Sequence, residues 1–185
     1  MAIKKSELYS SLWASCDELR GGMDASQYKD YVLTLLFVKY VSDKYGNKKD
    51  SLIEVPHGAS FEDMIALKGK SDIGEQINKK ILRPLFAANG LEGSIELVDF
   101  DDDDKLGVGK ERVDLLTNLI SIFENPALNF KNNRAEDDDI LGDAYEFLMR
   151  HFAQDSGKSK GQFYTPSEVS RILAKVISVE KADKP

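Results

Sequence analysis

The stretch GKSKGQFYTPSEV, residues 157–169, gathers residue types that do chemistry in company. Gly161 permits close backbone approach, Lys158 and Lys160 carry charge, and Phe163 and Tyr164 offer flat apolar faces on which an adenine or a flipped base can lie. Thr165-Pro166 then opens a helical pattern, and a helix start receives anionic groups such as a carboxylate. A phosphate-binding P-loop is excluded, because it needs a glycine five positions before the Gly-Lys and a strand leading in. Position 152 is Phe152, and a helical pattern precedes it. Thr165, Pro166 and Glu168 also have the spacing of a capping box, with Thr at N-cap, Pro at N1 and Glu at N3. Local grounds alone favour that structural cap; Gly161, Phe163 and Tyr164 are what add a ligand to the reading.

Other clusters carry less. DFDDDD from Asp99 lacks the glycine and glutamate that a calcium-binding EF-hand loop places sixth and twelfth, where Asp104 and Lys110 stand, so solvated acidic turns are expected and no metal site. Asp137–Asp139 suit the positive end of a helix dipole. His57 and His151 are isolated. The single Cys16 falls on an apolar helical face, which predicts a reduced, buried thiol, and Trp13 at helical spacing from it is expected in the core. Lys48-Lys49 and Lys79-Lys80-Arg83 read as solvated helix faces.

The elements that must position residues 157–169 are helical. Leu8, Leu12, Cys16 and Leu19 recur at helical spacing behind Ser6, a candidate N-cap, and the pattern stops at Gly21-Gly22. From Asp24, whose spacing to Gln27 suits a capping box, a second helix runs to Gly46. Its apolar residues Tyr28, Tyr31, Val32, Leu35, Leu36, Phe37, Val38, Tyr40 and Val41 cover more than one stripe, which predicts a central helix touched on several sides. Ser60 caps a short helix through Leu67. Asp72 begins another, with Ile73, Ile77, Ile81 and Leu85 on one face and Pro84 expected to bend or restart it. GSIELVDF, residues 93–100, reads as a short strand or as extended chain. Val113, Leu116, Ile120 and Phe123 mark a helix that ends before Pro126. In the next, Ile140, Ala144, Phe147 and Leu148 face inward, and Gly142 either permits close approach of a neighbour or marks the helix start. The last helix runs from Pro166 to about Ile177, with Val169, Ile172, Leu173 and Val176 on one face.

The 185 residues are 42% hydrophobic, enough for a substantial core. Thirty-two acidic against twenty-five basic residues give a net charge of -7, which opposes sequence-independent binding of a polyanion by the chain as a whole. Any DNA contact is therefore expected to be local or shared with other chains. The N-terminus has no apolar run of signal-peptide form, and Tyr31–Val38 is too short to span a bilayer. A cytoplasmic location is expected.

DDILGDAYEFLMRHFAQDSGKSKGQFYTPSEVSRILAKVI resembles the junction region of the modification (methyltransferase) subunit of type I restriction-modification systems. LWASCDELRGGMDASQYKDYVLTLLFVKYVSDKY resembles the start of that subunit's N-terminal helical domain, and SFEDMIALKGKSDIGEQINKKI fits as well. The resemblance implies an all-α, multi-helix domain over 1–155 and, over 156–185, the start of an S-adenosylmethionine-dependent methyltransferase domain of α/β type. It implies that Gln162, Phe163, Tyr164, Thr165 and Pro166 line the cofactor site, with Gly161 and Ser167 at its margins. Lys158 and Lys160 would lie where a DNA strand passes. It further implies transfer of a methyl group from S-adenosylmethionine to the exocyclic amine of adenine in double-stranded DNA, together with a specificity subunit, a second methyltransferase subunit and a restriction subunit. The family's Asp-Pro-x-Cys-Gly-Ser-Gly and Asn-Pro-Pro-(Phe/Tyr) loops are missing from these residues; NPAL, Asn125–Leu128, is a helix-terminating turn. The chain is accordingly expected to be catalytically silent alone, an N-terminal domain plus the threshold of a catalytic one. The alternative is a non-enzymatic helical interaction module.

Overall fold

The computed structural model describes residues 5–19, 25–46, 51–92, 98–131, 140–155, 165 and 167–177, and among these it is helical with no strand. The long helices are α1 (Lys5–Leu19), α2 (Ala25–Tyr45), α7 (Lys110–Phe123), α8 (Ile140–Asp155) and α9 (Ser167–Val176). Shorter pieces fill the connections: α3 (Phe61–Ile65), α4 (Ile73–Gln76), a π-helical turn (Ile77–Leu82), α5 (Arg83–Ala88), α6 (Asp103–Leu106) and a 3-10 turn (Pro126–Leu128).

The core is built around α2, as its several apolar stripes predict. It packs against α1, α3, α7 and α8, and Tyr28, Tyr31, Val32, Leu35, Leu36, Val38 and Val41 are buried on it. The predicted stripe of α1, Leu8, Leu12, Cys16 and Leu19, is buried against it, as are Leu116, Ile120 and Phe123 of α7. Each such side chain contributes roughly 1.5–3 kcal/mol through removal from water. Ser15, buried inside α1, satisfies its hydroxyl by donating to the Ser11 carbonyl at 2.9 Å.

Three polar side chains of α2 then fasten the connections. The Ser42 hydroxyl accepts from the Phe61 N–H at 2.8 Å, which seats the start of α3. Asp43, almost wholly buried, pairs with Lys39 at 2.9 Å and accepts from the Phe130 N–H at 3.0 Å. At the other end of α2 the Tyr31 hydroxyl donates to the Asp99 carbonyl at 3.0 Å. Burial, joined by the charges of Asp102, Asp99 and Asp30, pushes that hydroxyl well above the usual phenol range, so it stays a donor.

Local signals explain most boundaries. Ser60 caps α3 in a capping box with Asp63, although α3 ends at Ile65 and passes into turns before Leu67. Gly46 ends α2; a Cβ there would stand 2.5 Å from the Ser42 carbonyl oxygen. Helix α1 begins at Lys5, so Ser6 lies within its first turn and is not the N-cap. Asp24 and the Gln27 side chain lie outside the described residues, as do 93–97 of the strand candidate, while Val98–Phe100 form no strand. Gly142 lies inside α8 and does not start it.

Pro84 restarts the helix, and the device is a π turn. Pro84 has no N–H to offer the preceding turn, and the Arg83 N–H instead reaches back five residues to the Asn78 carbonyl. Ile73, Ile77, Ile81 and Leu85 are all buried. Residues spaced by four drift about 40° per step around a regular α-helix, and the wider π turn reduces that drift, so all four stay on the core.

Gly74 lets the loop after residue 97 lie against α4. A Cβ there would meet the Phe100 carbonyl oxygen at 2.2 Å, and this backbone cannot retreat, since Phe100 N–H donates to Asn78 Oδ1 at 3.0 Å. Gly74→Ala is expected to destabilise the fold by about 2–3 kcal/mol, read as a lower urea midpoint. The α3 cap supplies a second test. The Ser60 hydroxyl donates to Asp63, and this, over the opposing effect of burial and with further help from the Ser60 N–H, holds the Asp63 carboxyl below the usual range. A depressed carboxylate stabilises the fold above its unfolded value of roughly 4, and that stability is lost as pH falls through the lower folded value. Asp63→Asn should therefore flatten the acid limb of stability against pH in urea titrations.

Candidate cofactor-binding site

Helix α8 leads toward the element that the sequence singled out. Ala144, Leu148, Met149 and His151 are buried on it, Phe147 is partly buried against the core, and the Ile140 side chain lies outside the described residues. Trp13 corrects the sequence expectation: it is 41% exposed and not a core residue. It stands at the margin of the α1 stripe, with its ring on His151 at a centroid distance of 3.9 Å. Cys16, by contrast, is a buried free thiol, as expected.

Of the predicted site residues, Lys158, Lys160, Gly161, Gln162, Phe163, Tyr164 and Pro166 lie outside the described residues. Thr165 is exposed immediately before α9, and Ser167 is the first residue of that helix. The N-terminal end of a ten-residue helix therefore opens close to Thr165, presenting the partial positive charge of a helix start. That end suits the carboxylate of an amino-acid-bearing cofactor.

Helix α9 has a further property that its periodicity carries but does not interpret. Val169, Ile172, Leu173 and Val176 share one face as predicted, and with Ile177 they are exposed, Ile172 at 61% and Val176 at 74%. A stripe this regular, on a helix with Arg171 and Lys175 opposite it, is built to be covered.

Elsewhere the chemistry-bearing groups are committed to structure. Arg112 joins Asp101 at 3.1 Å and Asp103 at 2.6 Å, and Lys105 joins Asp102 at 3.0 Å. Hydrogen bonding from Lys105, which outweighs burial, lowers the Asp102 carboxyl, and Asp102 caps α6 through the Asp104 and Lys105 N–H groups. Among the described residues no three His, Cys, Asp or Glu side chains converge as a metal site. A shallow cleft of about 200 Å³ lies beside the π turn, lined by Asn78, Leu82, Arg83, Val98 and Asp99. Asn78 is spent there on holding Asp99 at 2.6 Å. Sequence reasoning did not find it, because its walls are brought together by the π turn and a distant loop.

The exposed stripe gives a direct test. Replacing Ile172 and Leu173 by Gln should change the stability of the 185-residue chain by less than about 0.5 kcal/mol, because neither side chain is buried. The same change should lower self-association in sedimentation velocity and binding of an apolar dye.

Comparison with known proteins follows this geometry. Residues 8–123 match the HsdM N-terminal domain, and residues 136–184 match the N-6 DNA Methylase family. The chain is 31% identical to the methylase subunit of the type I restriction enzyme MpnII of Mycoplasma pneumoniae, over 93% of this chain and 39% of that protein. It is 30% identical to the MjaVIII methylase subunit of Methanocaldococcus jannaschii, over 95% of this chain and 32% of that one. The chain thus spans about a third to two fifths of the length of these relatives. A crystal structure of a type I restriction-modification methyltransferase subunit from Streptococcus thermophilus shares the fold, with a TM-score of 0.67 at 22% identity, over 98% of this chain and 45% of that one. Among the described residues no helix is long and apolar enough to cross a membrane. With its buried α2 hub and the matched span from Leu8 to Phe123, the chain belongs to the HsdM N-terminal domain family, the N-terminal region of type I restriction enzyme methylase subunits.

Proposed function

We propose that this chain is the N-terminal region of a DNA adenine-N6 methyltransferase subunit, in which residues 1–155 close on DNA and contact partner subunits and residues 156–185 begin the methyltransferase domain. The observation that carries the reading is the position of the Gln162–Pro166 element, inside the span similar to N-6 DNA methylases and directly before α9. Gln162, Phe163, Tyr164, Thr165 and Pro166 would line the S-adenosylmethionine site, with Gly161 and Ser167 at its margins. The amides at the start of α9 suit the amino-acid end of that cofactor, and the aromatic pair suits its adenine. When bound, the cofactor supplies the methyl group. The apolar stripe of α9 fits the same reading, since a helix next to a doubly covered sheet buries one face only. Helix α8 stays with the helical domain through its packing on α1 and α2, which supports a boundary after Asp155.

Adenine must leave the base stack to meet a methyl donor, at a cost of a few kcal/mol. Lys158 and Lys160 are proposed to hold the strand from which it turns. The specificity, restriction and second methylase subunits would supply sequence choice and the remainder of the grip, consistent with a chain whose own net charge is -7.

The full-length subunit provides the test. Isothermal titration should show S-adenosylmethionine binding that Tyr164→Ala weakens by about tenfold or more. Lys158→Glu with Lys160→Glu should lower DNA affinity at low salt while leaving the thermal midpoint in place. The polypeptide beyond Pro185 should carry the glycine-rich loop and the Asn-Pro-Pro-(Phe/Tyr) loop. Absence of both loops, or unchanged cofactor binding in Tyr164→Ala, overturns the cofactor assignment, and unchanged DNA affinity overturns that of the lysines.

A further inference from the structure

Asn89 closes the end of α5 and holds a distant loop to it. Its amide oxygen accepts from the Glu54 N–H at 2.9 Å, and its amide nitrogen donates to the Glu54 carbonyl at 2.8 Å and to the Leu85 carbonyl at 2.7 Å. One side chain thus matches both backbone groups of Glu54 and fixes residues 51–55 on the helix end, where Ile53 and Val55 lie partly buried against the core. Only an amide serves here, since a carboxylate has no proton to offer the two carbonyls.

The next residue is set by the backbone. Gly90 stands at φ +64°, its N–H donates to the Ala87 carbonyl at 3.2 Å, and the Leu91 N–H donates to the Phe86 carbonyl at 3.0 Å. This is the left-handed helix close for which glycine is best suited. The two demands together produce Asn-Gly, a pairing that occurs once in the 185 residues. It is also a reactive pairing, because with no Cβ on the glycine its backbone nitrogen can approach the asparagine side-chain carbon unhindered. In the fold both reacting groups are occupied, the nitrogen by its bond to Ala87 and the amide by its bonds to Glu54 and Leu85.

We propose that Asn89 is a site of spontaneous deamidation, held in check by its hydrogen bonds to Glu54 and Leu85 and released when residues 51–55 lift away. The Gly90 nitrogen, giving its proton to hydroxide, attacks Asn89 Cγ. The new N–C bond closes a succinimide ring, and the side-chain nitrogen leaves as ammonia after taking a proton from water. Water then adds to either ring carbonyl and breaks its bond to nitrogen, leaving aspartate or isoaspartate, with nothing oxidised or reduced. Neither product has the amide protons that served the Glu54 and Leu85 carbonyls, and each adds a negative charge beside them. Lifting of the loop is thereby made one-way: once Asn89 has reacted the clip cannot re-form, and Ile53 and Val55 lose the hold that keeps them covered.

The experiment incubates the 185-residue chain in mildly alkaline buffer and follows Asn89 by mass spectrometry of its peptides, with hydrogen exchange of the Glu54 amide measured alongside. Above the urea midpoint Asn89 should convert at least about tenfold faster than in the folded chain, and below the midpoint conversion should rise in step with Glu54 exchange as urea is added. Converted molecules, separated from the parent by ion exchange, should exchange the Glu54 amide about tenfold faster while the amides of α7 keep their protection. Asn89→Asp should reproduce that pattern, and where this variant does not fold the converted molecules carry the same comparison. Equal conversion in folded and unfolded chains overturns the proposal, as does conversion that stays flat while Glu54 exchange rises. Parent-like Glu54 protection in the converted molecules overturns it as well.

Discussion

A helix at the centre of a domain has spent its own backbone hydrogen bonds, so any loop that crosses it must find partners among its side chains. In this chain α2 supplies them. The carboxylate of Asp43, nearly sealed from water, is held by Lys39 and turned toward the Phe130 N–H, while its neighbour Ser42 receives the Phe61 N–H. Lys39 also lies 5.0 Å above the centre of the Phe61 ring, which ties the ion pair to the start of α3. A buried pair of this kind adds little net stability over an apolar pair, but breaking one partner leaves a stranded charge. Its role in this fold is to specify which loop lies where.

Much of this order was legible in the sequence and some was not, for reasons that differ by residue. Helical periodicity identified the buried stripes of α1, α2 and α7, because a repeat near 3.6 follows from backbone geometry alone. The Ser60 cap and the Gly46 stop were legible because their partners are within four residues. The pinning contacts of Tyr31, Ser42 and Asp43 join residues 68, 19 and 87 positions apart, and no local pattern encodes such pairs. Gly74 carries no local signal of its role, because the Phe100 carbonyl that lies against it is far away in the chain. Trp13 misled because spacing reports a direction around the helix, and a residue at the margin of the stripe has one ring face in the core and one in water.

The site was legible in a different way. The residues of GKSKGQFYTPSEV name plausible chemistry, yet on local grounds Thr165-Pro166 is an adequate helix cap and nothing more. Family resemblance is what adds the proposed cofactor to that cap, and the fold adds one observation beside it. The core is complete without α9: the stripes of α1, α2, α7 and α8 cover one another, and the apolar face of α9 is left over. A surplus apolar face is what a domain interface looks like from one side.

The π turn at Ile77–Leu82 has a consequence for how this helix tolerates change in length. It holds one residue more than the α-helical turn it replaces, so the segment from Ile73 to Ala88 behaves as a regular helix with a single insertion absorbed in its middle. Excising one residue there would relax the bulge to a regular turn and leave Leu85 and Phe86 facing the core, whereas excising one from a regular turn of the same helix would swing everything after it by about 100°. Removing the exposed Glu92 would merely shorten a connection. Indels in this helix are therefore judged by angular phase, and the bulge is the mark of one that was accommodated.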